Sequence, residues 1–215
     1  MTEIKHHLTD AILMAYSAGT LPEAFGLVVA THVSLCDECR ARLEGFEAVG
    51  GALLDDAEEV EMSEDSLDAT LAMIDAASVS EPANDYVPGA VLPAPLRAYV
   101  GGDVEKVRWR SVGAGVKQAV LKTGGNESVR LLAIPGGMAM PDHGHHGLEL
   151  TLVLQGAFRD EDDRFGRGDV EIANDDVSHT PIAEEGELCI CLAATDGPLK
   201  FKGIVPRIAQ KFVGI

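Results

Sequence analysis

The chain has 215 residues, 46 % of them hydrophobic, enough for one large or two small packed domains. No stretch approaches the ~20 consecutive apolar residues that a membrane span needs, and the amino-terminal stretch lacks the basic-then-apolar pattern of a secretory leader. A cytoplasmic protein is expected, in which the four cysteines stay reduced and read as ligands rather than as a disulfide framework.

The net charge of −18 is unevenly spread. Residues 1–85 carry three basic side chains, Lys5, Arg40 and Arg42, against eighteen acidic ones, a balance of −15; residues 86–215 carry fourteen against seventeen, a balance of −3. Phosphates would be repelled by the first segment, so direct nucleic-acid binding is not expected. A basic protein partner suits it better, the plainer alternative being a merely soluble acidic surface.

The first ~75 residues read as four helices. Thr9 can cap the first, with Leu8 and Leu13 placed as a hydrophobic staple, and Gly19 ends it. Thr20-x-x-Glu23 reads as a capping box for the second, which tolerates Pro22 in its first turn and runs to His32. The third starts at Cys36 and stops at Gly50-Gly51. After the acidic link at 55–59, Ser63 can cap a fourth, in which Leu67, Leu71 and Ile74 fall at i, i+4 and i+7.

Pro82, Pro88, Pro93 and Pro95, with Gly89, mark a linker. The expected organisation is a helical domain over 1–80, a linker over 81–95, a β domain over 96–195 and an extension over 196–215. Within the β domain the periodicity becomes two, and short runs at 107–110, 116–121, 129–134, 150–154, 169–172 and 188–193 read as strands of a sandwich or jelly-roll barrel.

His32-x3-Cys36-x2-Cys39, with His6-His7 upstream, offers imidazoles and thiols at the spacings of tetrahedral Zn²⁺ sites. Spacings of four and three let one helical face present all three residues. His7 is the expected fourth ligand because it abuts the first helix, with His6 the other candidate. The plain alternative is two buried cysteines and surface histidines. A site closed by four protein ligands has no open position for chemistry, so its role would be to tie the first helix to the second and third.

An amino-proximal His followed by His-x3-Cys-x2-Cys, on a short acidic helical domain, resembles the zinc-binding anti-sigma domain. Residues 16–26 and the run Val29-Ala30-Thr31-His32-Val33-Ser34-Leu35-Cys36-Asp37-Glu38-Cys39 are similar to the ChrR type in particular. That resemblance implies an α + β two-domain chain, with a four-helix zinc-binding anti-sigma domain and a carboxy-terminal cupin β-sandwich or jelly-roll barrel. It also implies a 1:1 heterodimer with an extracytoplasmic-function sigma factor, which is kept from core RNA polymerase.

Gly137-x5-His143-x-His145-x3-Glu149-x6-Gly156 matches the first cupin motif at every spacing. His143, His145 and Glu149 share parity, so on one strand they would project from one face. Gly168 and then His179 fit the second motif, although Asn174, Asp176 and Ala183 stand where the family usually has Pro, Gly and Asn. Three histidines and one glutamate suit Zn²⁺, Mn²⁺, Fe²⁺ or Ni²⁺. Cys189 and Cys191 point to one face of a strand, where a bridge would be strained; buried packing is the expected role, and an oxidation-sensitive one the alternative.

The leading expectation is therefore a non-catalytic anti-sigma factor whose cupin domain senses an oxidant, singlet oxygen or a relative of it by resemblance. The competing expectation is a metal-dependent dioxygenase or isomerase with an accessory zinc-helical domain. Fold analogy alone does not separate them.

Overall fold

In the computed structural model, residues 3–77, 87–144, 147–175, 178–197 and 200–201 are described. His145 lies outside them, as does most of the expected carboxy-terminal extension.

Four helices precede the proline-rich segment: α1 (Asp10–Ser17), α2 (Glu23–Val33), α3 (Asp37–Asp55) and α4 (Ser66–Ala76). Thr9 caps α1 by accepting the Ile12 N–H at 3.4 Å, and Leu8 and Leu13 are both buried. Beyond α1, Gly19 takes a φ of +67° while the Thr20 N–H donates back to the Ala15 carbonyl, the bond that closes a Schellman turn.

The expected capping box at α2 does not form. Thr20 turns its hydroxyl back to the Ala15 carbonyl, and Glu23 spends its carboxylate on the Tyr99 hydroxyl and the Gly124 N–H. Nor does Gly50-Gly51 stop α3, which continues to Asp55. Two helical glycines cost about 1 kcal/mol each relative to alanine, too little to end a helix that nothing else interrupts. Helix α4 starts at Ser66 rather than beside Ser63, which contributes only its backbone carbonyl to the Ser66 N–H.

Ala94 and Pro95, at the end of the proline-rich segment, form the first turn of α5 (Ala94–Val100), where proline is tolerated. A short 3₁₀ turn (Val104–Lys106) follows, and the Trp109 indole N–H donates to the Val104 carbonyl. The strand expected at 107–110 therefore begins only at its last residue. The β elements are β1 (Arg110–Gly113), β2 (Val116–Leu121), β3 (Ser128–Ile134), β4 (His143–Gly144), β5 (Glu149–Gln155), β6 (Ala157–Arg159), β7 (Arg164–Gly166), β8 (Val170–Ala173), β9 (Ser178–His179), β10 (Ile182–Ala183), β11 (Cys189–Thr195) and β12 (Lys200–Phe201).

They form an antiparallel six-stranded sheet in the order β1-β2-β3-β11-β5-β8, with three-stranded sheets β10-β6-β7 and β12-β4-β9. The large sheet is buried on both faces. One face (Leu131, Leu150, Leu152, Leu192 and Ala194) packs with Phe25, Val28 and Leu96 of α2 and α5 in a single core. The other face (Ile134, Val153, Cys189 and Cys191) packs with Phe158, Phe165 and Ala183 from the sheet of β6, β7 and β10. Because side chains alternate along a strand, β5 sends Leu150, Leu152 and Leu154 to the helices and Glu149, Thr151 and Val153 into the barrel.

Candidate metal centres

The first cluster forms at a helix–turn–helix. His32 lies in the last turn of α2, Cys36 is the residue that caps α3, and Cys39 lies in the first turn of α3. The three thus come from two helices and the turn between them rather than from one helical face. His7 enters from the segment before α1. Its Nδ1 is 3.3 Å from Cys36 Sγ and 3.7 Å from Cys39 Sγ. One donor atom from each of His7, His32, Cys36 and Cys39 lies within 4.8 Å of the others, and three of the four residues are buried.

His6 is placed elsewhere. Its ring lies against Phe165 with centroids 4.3 Å apart, and its Nε2 is 3.0 Å from an Asp163 carboxylate oxygen.

The His32 ring has its two nitrogens in unequal settings. Nδ1 donates to the Gly168 carbonyl at 2.9 Å, while Nε2 is buried with no hydrogen-bond partner. An orphaned buried nitrogen is costly unless something electrophilic meets its lone pair. Burial holds His32 neutral by lowering its pKa to about 4 against the pull of the Gly168 carbonyl. Burial also raises the Cys39 thiol, to about 11, so without a cation Cys39 keeps its proton. The donor set of two imidazoles and two sulfurs, with a buried nitrogen aimed at no protein atom, fits a tetrahedral ion such as Zn²⁺.

The second cluster lies at the mouth of the barrel. His143 in β4 is the direct cross-strand partner of His179 in β9. Glu149 opens β5, accepts the Thr151 hydroxyl at 3.0 Å, and lies close enough to His179 to favour its protonated form. Of the four expected ligands, then, His143, Glu149 and His179 are brought to one end of the barrel by backbone placement. His145 lies outside the described residues, and the His143 side chain is not described.

Two residues that the sequence reading does not single out complete this cluster. Glu171 of β8 lies 2.7 Å from His179 Nδ1, and Asp160, just after β6, lies 3.3 Å from the same nitrogen. Burial opposes a charge on His179, but the Glu171 carboxylate outweighs it, with help from Asp160, and carries its pKa up to about 9. One donor atom from each of Asp160, Glu171 and His179 lies within 4.8 Å of the others, so these three could themselves hold an ion. Deeper inside, the Cys189 and Cys191 sulfurs sit 3.6 Å apart, both buried. The neighbouring Cys189 and then burial push the Cys191 thiol well up, so Cys191 is packed as a neutral thiol.

Fold and clusters together define a helical module with a His₂Cys₂ cluster, packed on a cupin-like barrel with a histidine–carboxylate mouth. Residues 98–198 match the family model described as the ChrR cupin-like domain. The anti-sigma-E factor ChrR of Cereibacter sphaeroides is 58 % identical over 212 residues, 99 % of each chain. A crystal structure of Rhodobacter sphaeroides SigE in complex with the anti-sigma ChrR matches with 59 % identity and a TM-score of 0.80, over 90 % of this chain and 100 % of that one. A cupin protein from Ralstonia eutropha is 26 % identical, with a TM-score of 0.42 over 48 % of this chain and 71 % of its own. The chain belongs to the ChrR family of anti-sigma factors, which makes it a regulator and not an enzyme. No helix among the described residues is long and apolar enough to cross a membrane.

Proposed function

We propose that the chain binds and inhibits an extracytoplasmic-function sigma factor as a 1:1 heterodimer, and that its cupin domain governs release in response to an oxidant, singlet oxygen by family resemblance. The observation that carries the reading is the whole-chain identity of 58 % to an anti-sigma factor, whose counterpart in a solved structure is bound to SigE.

The helical surface adds physical support. Leu67, Leu71 and Ile74 share one face of α4 and are 68 %, 50 % and 59 % exposed, and Leu53 and Leu54 at the end of α3 are more exposed still. Exposed apolar side chains of this kind, on helices rich in carboxylates, suit a partner with an apolar groove and a basic edge.

In this reading His7, His32, Cys36 and Cys39 hold Zn²⁺ in a closed structural site. His143, His145, Glu149 and His179 hold a second divalent ion, Zn²⁺ being preferred over Mn²⁺, Fe²⁺ or Ni²⁺, and Glu171 and Asp160 orient His179.

The test is capture of sigma factors from host lysate by the zinc-loaded full chain, read by mass spectrometry. One sigma factor should be recovered, and Cys36→Ala or Cys39→Ala should lose it. Release of that partner under photosensitised singlet oxygen should then fail in His143→Ala and His179→Ala. Release that is unchanged in both variants would remove the sensing role from the cupin.

A further inference from the structure

We infer that Gly168 and Asp169, in the turn between β7 and β8 of the barrel, are positioning residues for the amino-terminal metal site. The barrel thereby sets how firmly the helical module holds its ion. The inference rests on reading His7, His32, Cys36 and Cys39 as the ligand set.

Two of those four ligands are placed by this turn. The Asp169 side chain, in a residue only 4 % exposed, accepts the backbone N–H groups of Lys5 at 2.7 Å and His6 at 2.9 Å through a single carboxylate oxygen. Its other oxygen accepts the Gly166 N–H at 2.7 Å, which fixes the carboxylate in the turn. The Val170 N–H then donates to the His6 carbonyl at 3.2 Å. Three bonds therefore pin the residues immediately before His7 to the barrel, and the direction from which His7 reaches the cysteines follows from that anchorage.

Gly168 acts on the second ligand. Its carbonyl accepts a hydrogen bond from the His32 Nδ1–H, which fixes the tautomer and turns the Nε2 lone pair toward the thiols. The position requires glycine for two reasons. Its φ is +93°, and a Cβ there would stand 2.6 Å from the Ile4 side chain that covers it. Cys36, which caps α3, and Cys39, in its first turn, have no hydrogen bond to this barrel turn, so the barrel positions two of the four ligands and the start of α3 carries the other two.

Outer-sphere partners of metal-bound histidines typically change metal affinity by about 10-fold to 100-fold when removed. The test uses the full chain titrated with Co²⁺ against a competing chelator, read at the thiolate-to-cobalt charge-transfer band. That band reports the site of Cys36 and Cys39 and is silent for a histidine–carboxylate site.

Asp169→Ala and Gly168→Ala should each weaken the cobalt affinity read at this band by about 10-fold or more. Ile134→Ala, which opens the barrel interior on β3, separated from β8 by β11 and β5 in the sheet, should lower the melting temperature and leave the affinity as in the wild type. Wild-type affinity in both turn variants would overturn the inference while leaving the metal reading intact. An equal loss in Ile134→Ala would also overturn it, by showing that any loosening of the barrel suffices. A wild-type chain with no thiolate band would remove the metal reading and the inference together.

Discussion

The stretch from Leu8 to Leu43 and the stretch from Val49 to Ile74 contain similar apolar side chains and treat them in opposite ways. In the first, Leu8, Leu13, Phe25, Val28 and Val29 are all but sealed from water; in the second, Val49, Leu53, Leu54, Val60, Met62, Leu67, Leu71, Met73 and Ile74 are all exposed. The difference is what each stretch has to lie against. Helix α2 rests on the strands β3, β5 and β11, so its apolar face completes a core that the sheet begins. Helix α3 packs on α1 and α2, but beyond Phe46 all its residues are exposed, and no residue of α4 is buried. An 11-residue helix with no buried residue is marginal in water, so among the described residues α4 is held by little that packing supplies.

That contrast can be broken at either end, and the largest effect is expected in the packed stretch. Phe25→Ala should destabilise the chain by about 3–5 kcal/mol in denaturant unfolding. The chemically similar truncation Leu71→Ala should leave the unfolding curve within about 0.5 kcal/mol of the wild type. Next in size is partner binding. Leu67→Asp combined with Leu71→Asp should weaken sigma-factor affinity by about 100-fold, about 2.7 kcal/mol, in a titration, with thermal stability unchanged. A double variant that binds as tightly as the wild type would place the contact elsewhere.

Removing the cap of α1 by Thr9→Ala should cost about 1 kcal/mol, because the Ile12 N–H then loses its acceptor, and the loss should appear as a lower denaturant midpoint. The smallest effect concerns rate. Raising ionic strength from about 0.1 M to about 1 M shortens the screening length from about 10 Å to about 3 Å. Association of the acidic helical module with a basic sigma factor should therefore slow in stopped-flow mixing, while dissociation changes little.

Local patterns are legible in the sequence where a local cause decides the structure. The strand at 116–121 is found with the expected bounds, and those at 129–134, 150–154 and 188–193 with ends shifted by one or two residues. Their apolar runs reflect burial on both faces. The spacing of His32, Cys36 and Cys39 likewise encodes its own convergence, because a tight turn after His32 keeps all three within reach.

What depends on distant partners is not legible. Glu23 looks like half of a capping box until Tyr99 and Gly124, 76 and 101 residues away, claim its carboxylate. The assignment between His6 and His7 is decided by Asp163 and Phe165, across the domain boundary. Asp160, just after β6, and Glu171, in β8, hold His179 from separate parts of the chain, with no common motif to flag them.

Helix α2 is stitched to the barrel at both ends: Glu23 at its start is tied to Tyr99 and Gly124, and His32 at its finish is tied to Gly168. With its flank pressed against the sheet as well, it is a strut of the barrel, although it lies on the other side of the proline-rich segment. The mechanical seam of the molecule consequently does not follow the covalent linker. It crosses the middle of α3, between buried Leu43 and exposed Val49. A partner gripping the far half of α3 would bear on a packed near half whose cap is Cys36 and whose first turn carries Cys39.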